Sequence, residues 1–448
     1  MYSIYAILNP MHEDLFVFKS FHLSGIGGIG MSALARLLLN EGKTVSGSDR
    51  SPSKITEALS LEGVKVFSEE TGDNLDGTCD VLIHTPAVSE EHPELKKARE
   101  LKIPTVSYPE ALGIVSKNMF TVAVSGTHGK TTTTAMIAHI LRSTGHLPTV
   151  VVGSLLCAGG KGSKESNFFA GDGSCFVVEA CEYKRSFSHL HPDILVITNI
   201  DEDHLDYYKD ISDIQSAFVE VALKVPRDGT LVCSAKDELL RPVVGASISE
   251  VVDYKELSKT ELHIPVNGEH NRLNAMAAIS VARCFGVSVD SAVKALETFP
   301  GTWRRFEYKG ETRKGSLVYD DYAHHPSEIK ATISAAKESF PDSNIITVFQ
   351  PHLYSRTEAF FDDIVGSLSL SDRTVLLPVY QARSEKAPVS RTSSDISESL
   401  RKQGFESFYS PSFEEATELT FDLSESGDVI IMMGAGDIYT ATEMVLEI

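Results

Sequence analysis

The stretch VAVSGTHGKTTTTAMIAHIL (residues 122–141) narrows most what this chain can fold into. A valine-rich run of strand length meets glycine at Gly126, and Gly129-Lys130-Thr131 opens a segment with helical apolar spacing. Strand, glycine loop and helix in that order predict a phosphate-binding loop in an α/β domain. Backbone N–H groups of such a loop wrap the β-phosphate of a nucleotide. The lysine ammonium reaches the β/γ oxygens, and the threonine hydroxyl ligates Mg²⁺. The general pattern asks for glycine at 124, where this chain has Val124, so the loop is the variant G-T-H-G-K-T. The plainer alternative is a helix start with a surface lysine. Four consecutive threonines, poor helix formers, favour ligand contact instead.

A second glycine loop lies upstream. Gly25, Gly27 and Gly30, with Gly28 between them, match G-x-G-x-x-G after an apolar strand and before the helical stretch Ser32–Leu39. Glycines there let backbone N–H groups approach a pyrophosphate at a helix N-terminus. Asp49 ends the next strand, 19 residues after Gly30, where it can accept a hydrogen bond from a ribose hydroxyl. The loop alone leans toward NAD, but FAD or a UDP-sugar fits it as well. Two phosphate loops imply two nucleotides. A dehydrogenase or a kinase needs one; a ligase that activates a nucleotide-linked substrate with ATP needs two.

Apolar runs alternate with helix-like stretches along most of the chain. Phe16–Leu23, Val81–Ile83, Val122–Ser125, Phe176–Glu179, Ile194–Thr198, Leu317–Tyr319, Ile345–Phe349, Thr374–Leu377 and Val429–Met433 read as strands. Many lack alternation, as expected of parallel strands covered on both faces. Prolines and glycines near Lys102–Ser116 and at Phe299-Pro300-Gly301, after the helical stretch Ser291–Thr298, break the pattern, so three domains are predicted, 1–110, 111–301 and 302–448.

With 448 residues the chain has room for three domains. A formal net charge of −21 disfavours a nucleic-acid partner, though a small nucleotide is compatible with it. Six cysteines without a Cys-x-x-Cys pair suggest reduced thiols. No run approaches a membrane span, and the opening MYSIYAILNPMHEDLF lacks a basic signal-peptide region. A cytoplasmic protein, monomeric or weakly homodimeric, is expected.

The G-T-H-G-K-T-T-T loop, G-E-H-N-R-L-N (268–274) and D-D-Y-A-H-H-P (320–326) together resemble the Mur ligases, ATP-dependent amide-bond ligases of peptidoglycan assembly. The resemblance runs from Ser24 to about Gly436. It implies an α/β protein of three domains: a Rossmann-like N-terminal domain for a UDP-sugar, a central P-loop mononucleotide-binding domain for ATP, and a Rossmann-like C-terminal domain. His128 in the loop is similar to the branch that joins L-alanine to the carboxylate of UDP-N-acetylmuramate. A branch that recycles murein tripeptide onto the same sugar shares that loop. An NAD-dependent dehydrogenase, or a nucleotide sensor without catalysis, would leave one loop or the chemistry unexplained.

The resemblance also implies roles. Gly126, Thr127, His128, Gly129, Lys130, Thr131 and Thr132 would hold ATP, with Thr131, Glu179 and His204 on Mg²⁺. His270, Asn271 and Asn274 would lie on the adenine side, and Asp321 also serves ATP. Arg305 would reach the γ-phosphate on domain closure, and His324 or His325 would face the reacting carboxylate. Arg356 would clamp the amino-acid carboxylate, with Leu353 where some relatives have a second arginine and His352 as a substitute. Where the family often has E-A-D-E-S-D, this chain reads Glu179-Ala180-Cys181-Glu182-Tyr183-Lys184, which keeps the first carboxylate and puts the following contacts in question. No lysine occupies Ser216–Glu220, so a carbamylated lysine is not expected.

Overall fold

A computed structural model describes residues 14–157, 165–173, 175–381 and 390–448. It holds three sheets. The first runs β3-β2-β1-β4-β5, all parallel, from β1 (Ser20–Ser24), β2 (Thr44–Ser48), β3 (Lys65–Phe67), β4 (Val81–His84) and β5 (Thr105–Ser107). The second has the order β12-β11-β10-β6-β9-β7-β8. Its strands are β6 (Thr121–Ser125), β7 (Thr149–Cys157), β8 (Glu165–Phe169), β9 (Phe176–Glu179), β10 (Ile194–Ile197), β11 (Thr230–Cys233) and β12 (Glu250–Asp253). Only the β7–β8 pairing in it is antiparallel.

These two sheets belong to one compact unit, residues 1–263 with 274–300. A second unit, 264–273 with 301–448, holds the third sheet, β13-β14-β18-β15-β16-β17. Its strands are β13 (Glu307–Glu311), β14 (Leu317–Asp321), β15 (Ile345–Phe349), β16 (Arg373–Leu376), β17 (Glu406–Tyr409) and β18 (Val429–Met433). The β13–β14 pairing is antiparallel and the rest are parallel.

The unbroken apolar runs have the expected cause. In β18, Val429, Ile431 and Met433 join one core, while Ile430 and Met432 join a separate core on the opposite face. Both faces are covered, so no polar alternation survives. Several boundaries differ from expectation. Leu15–Val17 forms a 3-10 turn, capped by the Asp14 side chain on the Phe16 N–H, and the strand begins only at Ser20. The helix after the first glycine loop is longer, Ile29–Asn40, and the late one is Val289–Leu296. The expected break at 110 falls inside the helix Tyr108–Lys117, where Pro109 stands in the first turn, a position at which proline costs no hydrogen bond. Among the described residues, no helix is long and apolar enough to cross a membrane, and five described cysteines are free thiols.

Candidate functional site

Both glycine loops leave a sheet at its change of direction. β1 lies between β2 and β4, and β6 between β10 and β9. Crevices at such points are where open α/β sheets bind ligands. Each loop delivers a helix whose N-cap is glycine with no side-chain cap, Gly28 for Ile29–Asn40 and Gly129 for Lys130–Ser143. Their first N–H groups are thereby left for an anion.

In the second loop, Val124 is still strand, fully buried and paired with Glu179 and Val196 in the middle of the sheet. A glycine there would weaken the sheet, and the turn begins two residues later. Gly126 (φ 130°) and Gly129 (φ 82°) have left-handed backbone. A Cβ on Gly126 would lie 2.0 Å from Thr198 Oγ1, and one on Gly129 2.4 Å from Asn274 Oδ1. The loop is tied to the end of β10. Thr127 donates to the Asn199 carbonyl (3.1 Å), His128 N–H donates to Asn199 Oδ1 (2.9 Å), and His128 Nε2 lies 3.2 Å from Asp201 Oδ2.

Lys130 is largely enclosed. Its ammonium donates to the carbonyls of Gly126 (2.6 Å) and Thr127 (2.9 Å) and pairs with both oxygens of Glu182 (3.1 and 3.0 Å). Burial alone would lower its pKa, but Glu182 and Glu179 outweigh that and raise it above the ordinary lysine value. Glu182 is 3% exposed; burial opposes its charge, and Lys130 followed by His204 hold it below the usual carboxyl range. His204 Nε2 stands 3.6 Å from Glu182, with its ring against Tyr183.

Glu179 ends β9 beside the loop. Both its oxygens accept from Thr131 Oγ1 (3.1 and 3.0 Å), and Oε2 also accepts from the Gly153 N–H (2.8 Å). A hydroxyl and a carboxylate fixed together suit a hard cation such as Mg²⁺. Thr132 is buried in the first helical turn.

At the first loop, Gly25 turns with φ 79° and its N–H donates to the Ser48 carbonyl. Asp49 Oδ2 accepts from the Gly27 N–H (2.8 Å) and Oδ1 from the Ser51 N–H (3.0 Å), so the expected ribose partner also closes the loop on itself. Beneath it, the fully buried Glu94 accepts from Ser24 Oγ (2.5 Å), Ser48 Oγ (2.8 Å) and Asn74 Nδ2 (2.9 Å), with His22 Nε2 at 3.1 Å. Burial would raise this carboxyl, but His22, Asn74 and Ser24 outweigh it and bring it down to about 2 from 4.5.

A carboxyl lowered on folding stabilises above its unfolded pKa and loses that contribution as pH falls toward the folded value. Glu94 therefore contributes at most about 3 kcal/mol, complete above pH ~4.5 and fading toward ~2. The difference in urea-unfolding free energy between the parent chain and Glu94→Gln should be largest at pH 6 and shrink steadily toward pH 3. A constant difference would show that the ionised form is not what stabilises.

Between the loops, inside the same unit, lies a cavity of about 260 Å³. Ile29 and Gly30 line it from the first loop, Glu179 and Gly153 from the second, with Tyr108 and Cys181 in its wall. Cys181 is reached by solvent, but burial followed by the charge of Glu182 pushes its thiol up to about 12, so it stays protonated.

The second unit collects other expected residues. Arg305 lies over the Tyr322 ring (5.0 Å) and 3.9 Å from Glu328. Asp321 accepts from the N–H groups of Phe306 and Ala323, both at 2.7 Å, and burial raises its pKa to about 6. His324 Nδ1 is 3.0 Å from the Tyr322 carbonyl and 3.4 Å from Glu328. His325 is buried and caps the helix Pro326–Ser339, its Nδ1 accepting from Ser327 N–H. Burial lowers His270 to about 4, so the ring is neutral. Arg356 Nη1 lies 3.2 Å from His352 Nδ1, while Leu353 is buried. Asn271 lies in the helix Glu269–Cys284, which also carries Asn274 of the first unit.

Three residues escaped sequence reasoning: Glu182, Gly153 and Tyr108. Glu182 carried a signal, a second acid three residues after the strand-end Glu179. Gly153 and Tyr108 carried none that is local, because their roles depend on strand pairing and helix placement.

Three family profiles match in chain order: "Mur ligase family, catalytic domain" over 20–119, "Mur ligase middle domain" over 124–259, and "Mur ligase, glutamate ligase domain" over 304–436. The UDP-N-acetylmuramate–L-alanine ligase of Clostridium kluyveri is 40% identical, across 97% of this chain and 100% of the relative. That of Clostridium novyi is 41% identical, across 96% and 97%. Among solved structures, the UDP-N-acetylmuramate–alanine ligase of Thermotoga maritima superposes with a TM-score of 0.80 at 30% identity, covering 96% of this chain and 99% of that one.

Proposed function

This chain belongs to the Mur ligase family, and we propose that it joins L-alanine to the carboxylate of UDP-N-acetylmuramate, driven by ATP, in peptidoglycan precursor synthesis. The observation that carries this reading is the cavity running from Gly30 at one glycine loop to Glu179 at the other. A substrate whose nucleotide sits on the first loop reaches the γ-phosphate end of the second through it. The domain roles follow: 1–110 for the UDP-sugar, 111–301 for ATP, and 302–448 for the amino acid and closure.

A free carboxylate has no leaving group for an amine to displace. Phosphorylation by ATP supplies one, and attack of the L-alanine amine on the acyl phosphate then releases phosphate. Negative charge gathers around the transferred phosphoryl group in both steps, so fixed cations and oriented donors matter more than an acid–base pair. Lys130 suits the first need, since its raised pKa keeps it charged across the working range. Gly126, Thr127, His128, Gly129 and Thr132 would wrap the phosphates. Thr131 and Glu179 would hold Mg²⁺, which offsets the phosphate charge when bound. His204, beside Glu182, would serve a second cation through nitrogen, a less usual ligand for Mg²⁺. His270, Asn271 and Asn274 are proposed for the adenine side, Asp321 for ATP, and Arg305 for the γ-phosphate. His324 or His325 is proposed to face the reacting carboxylate; each has its Nδ1 engaged locally, His324 with the Tyr322 carbonyl and His325 with the Ser327 N–H.

Phosphate release from ATP and Mg²⁺ with UDP-N-acetylmuramate tests the reading. Turnover should require both the sugar nucleotide and L-alanine. Turnover with L-Ala-D-Glu-diaminopimelate alone would replace it with tripeptide recycling, and none with any acceptor would refute ligation. Arg356 is proposed to orient the amino acid by its carboxylate. Arg356→Ala should raise the KM for L-alanine roughly tenfold or more while leaving that for ATP within about twofold. Equal effects on both would refute the clamp.

A further inference from the structure

Tyr108 begins the helix that follows β5 and contributes its ring to the wall of the 260 Å³ cavity. Its neighbours there are mostly apolar: Pro109, Leu112, Val151, Val152 and Leu190. The ring is pressed against the first glycine loop. A Cβ on Gly30 would lie 2.6 Å from both Tyr108 Cζ and Oη, so the glycine at 30 serves this approach. The phenol is half-buried, and among the described residues its hydroxyl makes no hydrogen bond. Burial, with Glu179 next, raises its pKa above the ordinary tyrosine value, so the hydroxyl keeps its proton. A protonated phenol in a mostly apolar wall, with Glu179, Cys181 and Ser186 as the polar exceptions, is a donor awaiting an acceptor.

We infer that Tyr108 is a substrate-binding residue whose hydroxyl donates a hydrogen bond to an oxygen of the muramoyl part of UDP-N-acetylmuramate. This rests on the proposed function. The position argues for the muramoyl part over the diphosphate. The cavity begins at Gly30 and continues away from the loop toward Glu179, where the carboxylate must meet the phosphoryl donor. Its occupant is thus the portion of the substrate between the two. A site that donates to a substrate oxygen also discriminates against analogues lacking that oxygen.

The test is Tyr108→Phe, which keeps the ring against Gly30 and removes one oxygen. Binding of UDP-N-acetylmuramate and of UDP is measured by calorimetry, alongside steady-state kinetics of both proteins. The dissociation constant for UDP-N-acetylmuramate is expected to rise roughly tenfold, with that for UDP and the KM for ATP unchanged. Equal weakening of UDP would overturn the muramoyl assignment. Unchanged binding of both would overturn the contact altogether. Parent protein that fails to turn over with UDP-N-acetylmuramate and L-alanine in the same assay would refute the ligase reading instead, so the two failures are distinguishable.

Discussion

Lys130→Ala is expected to reduce ligation by roughly a thousandfold or more, while the dissociation constant for UDP-N-acetylmuramate moves by less than about threefold. The lysine is tied to the loop carbonyls of Gly126 and Thr127 and to Glu182, and the first glycine loop does not depend on it. The same variant should also lose stability. It leaves Glu182, 3% exposed, as a buried carboxylate without its ammonium, a change worth about 3–5 kcal/mol in other buried pairs. The double variant Lys130→Ala with Glu182→Gln separates the two effects. Its midpoint in urea should recover most of the loss, and its turnover should not recover at all. Recovered turnover, or retained turnover in the single variant, would show that the lysine holds the fold rather than the phosphates.

That pair also shows where sequence reading stops. The loop was legible because its constraints are local: glycines at fixed offsets, a lysine after the second, a threonine after that. The nine strands read from apolar runs correspond to β1, β4, β6, β9, β10, β14, β15, β16 and β18, none of them at a sheet edge. All six edge strands, β3, β5, β8, β12, β13 and β17, escaped. Segments such as Glu307–Glu311 (EYKGE) and Glu165–Phe169 (ESNFF) cover one face or none, so they carry too few apolar residues to stand out. Gly153 escaped for a related reason. It lies in the irregular stretch of β7 between Val151 and Leu156, and only the pairing of β7 with β9 brings its N–H to Glu179.

Position 124 teaches a complementary point. Measured against the general phosphate-loop pattern, Val124 is a departure that makes the loop a variant. In the fold it is an interior residue of β6, and the turn is made by Gly126. The two histidines of D-D-Y-A-H-H-P add a detail the motif does not carry. Pro326 starts a helix and needs a cap, which His325 Nδ1 supplies, while His324 Nδ1 faces the Tyr322 carbonyl. Motif membership located the region, and backbone geometry decides which ring nitrogen of each histidine is engaged in local structure.

Glu179→Gln is the second large effect expected. The amide keeps the volume of the carboxylate and can still accept from Gly153 N–H, so the unfolding midpoint should stay close to that of the parent. What changes is the negative charge presented with Thr131 Oγ1, now 3.0 Å from the carboxylate. A neutral amide is a weaker ligand for a hard cation. Turnover should fall roughly a hundredfold to a thousandfold, and the Mg²⁺ concentration giving half-maximal rate should rise roughly tenfold. Gly153→Ala approaches the same carboxylate from the other side, since its Cβ would lie 2.7 Å from Glu179 Oε2. It should reproduce the loss of rate without removing any charge. A Glu179→Gln protein with parental Mg²⁺ dependence, together with an unimpaired Gly153→Ala, would mean that the metal is held elsewhere and that Glu179 only fastens β9 to the loop.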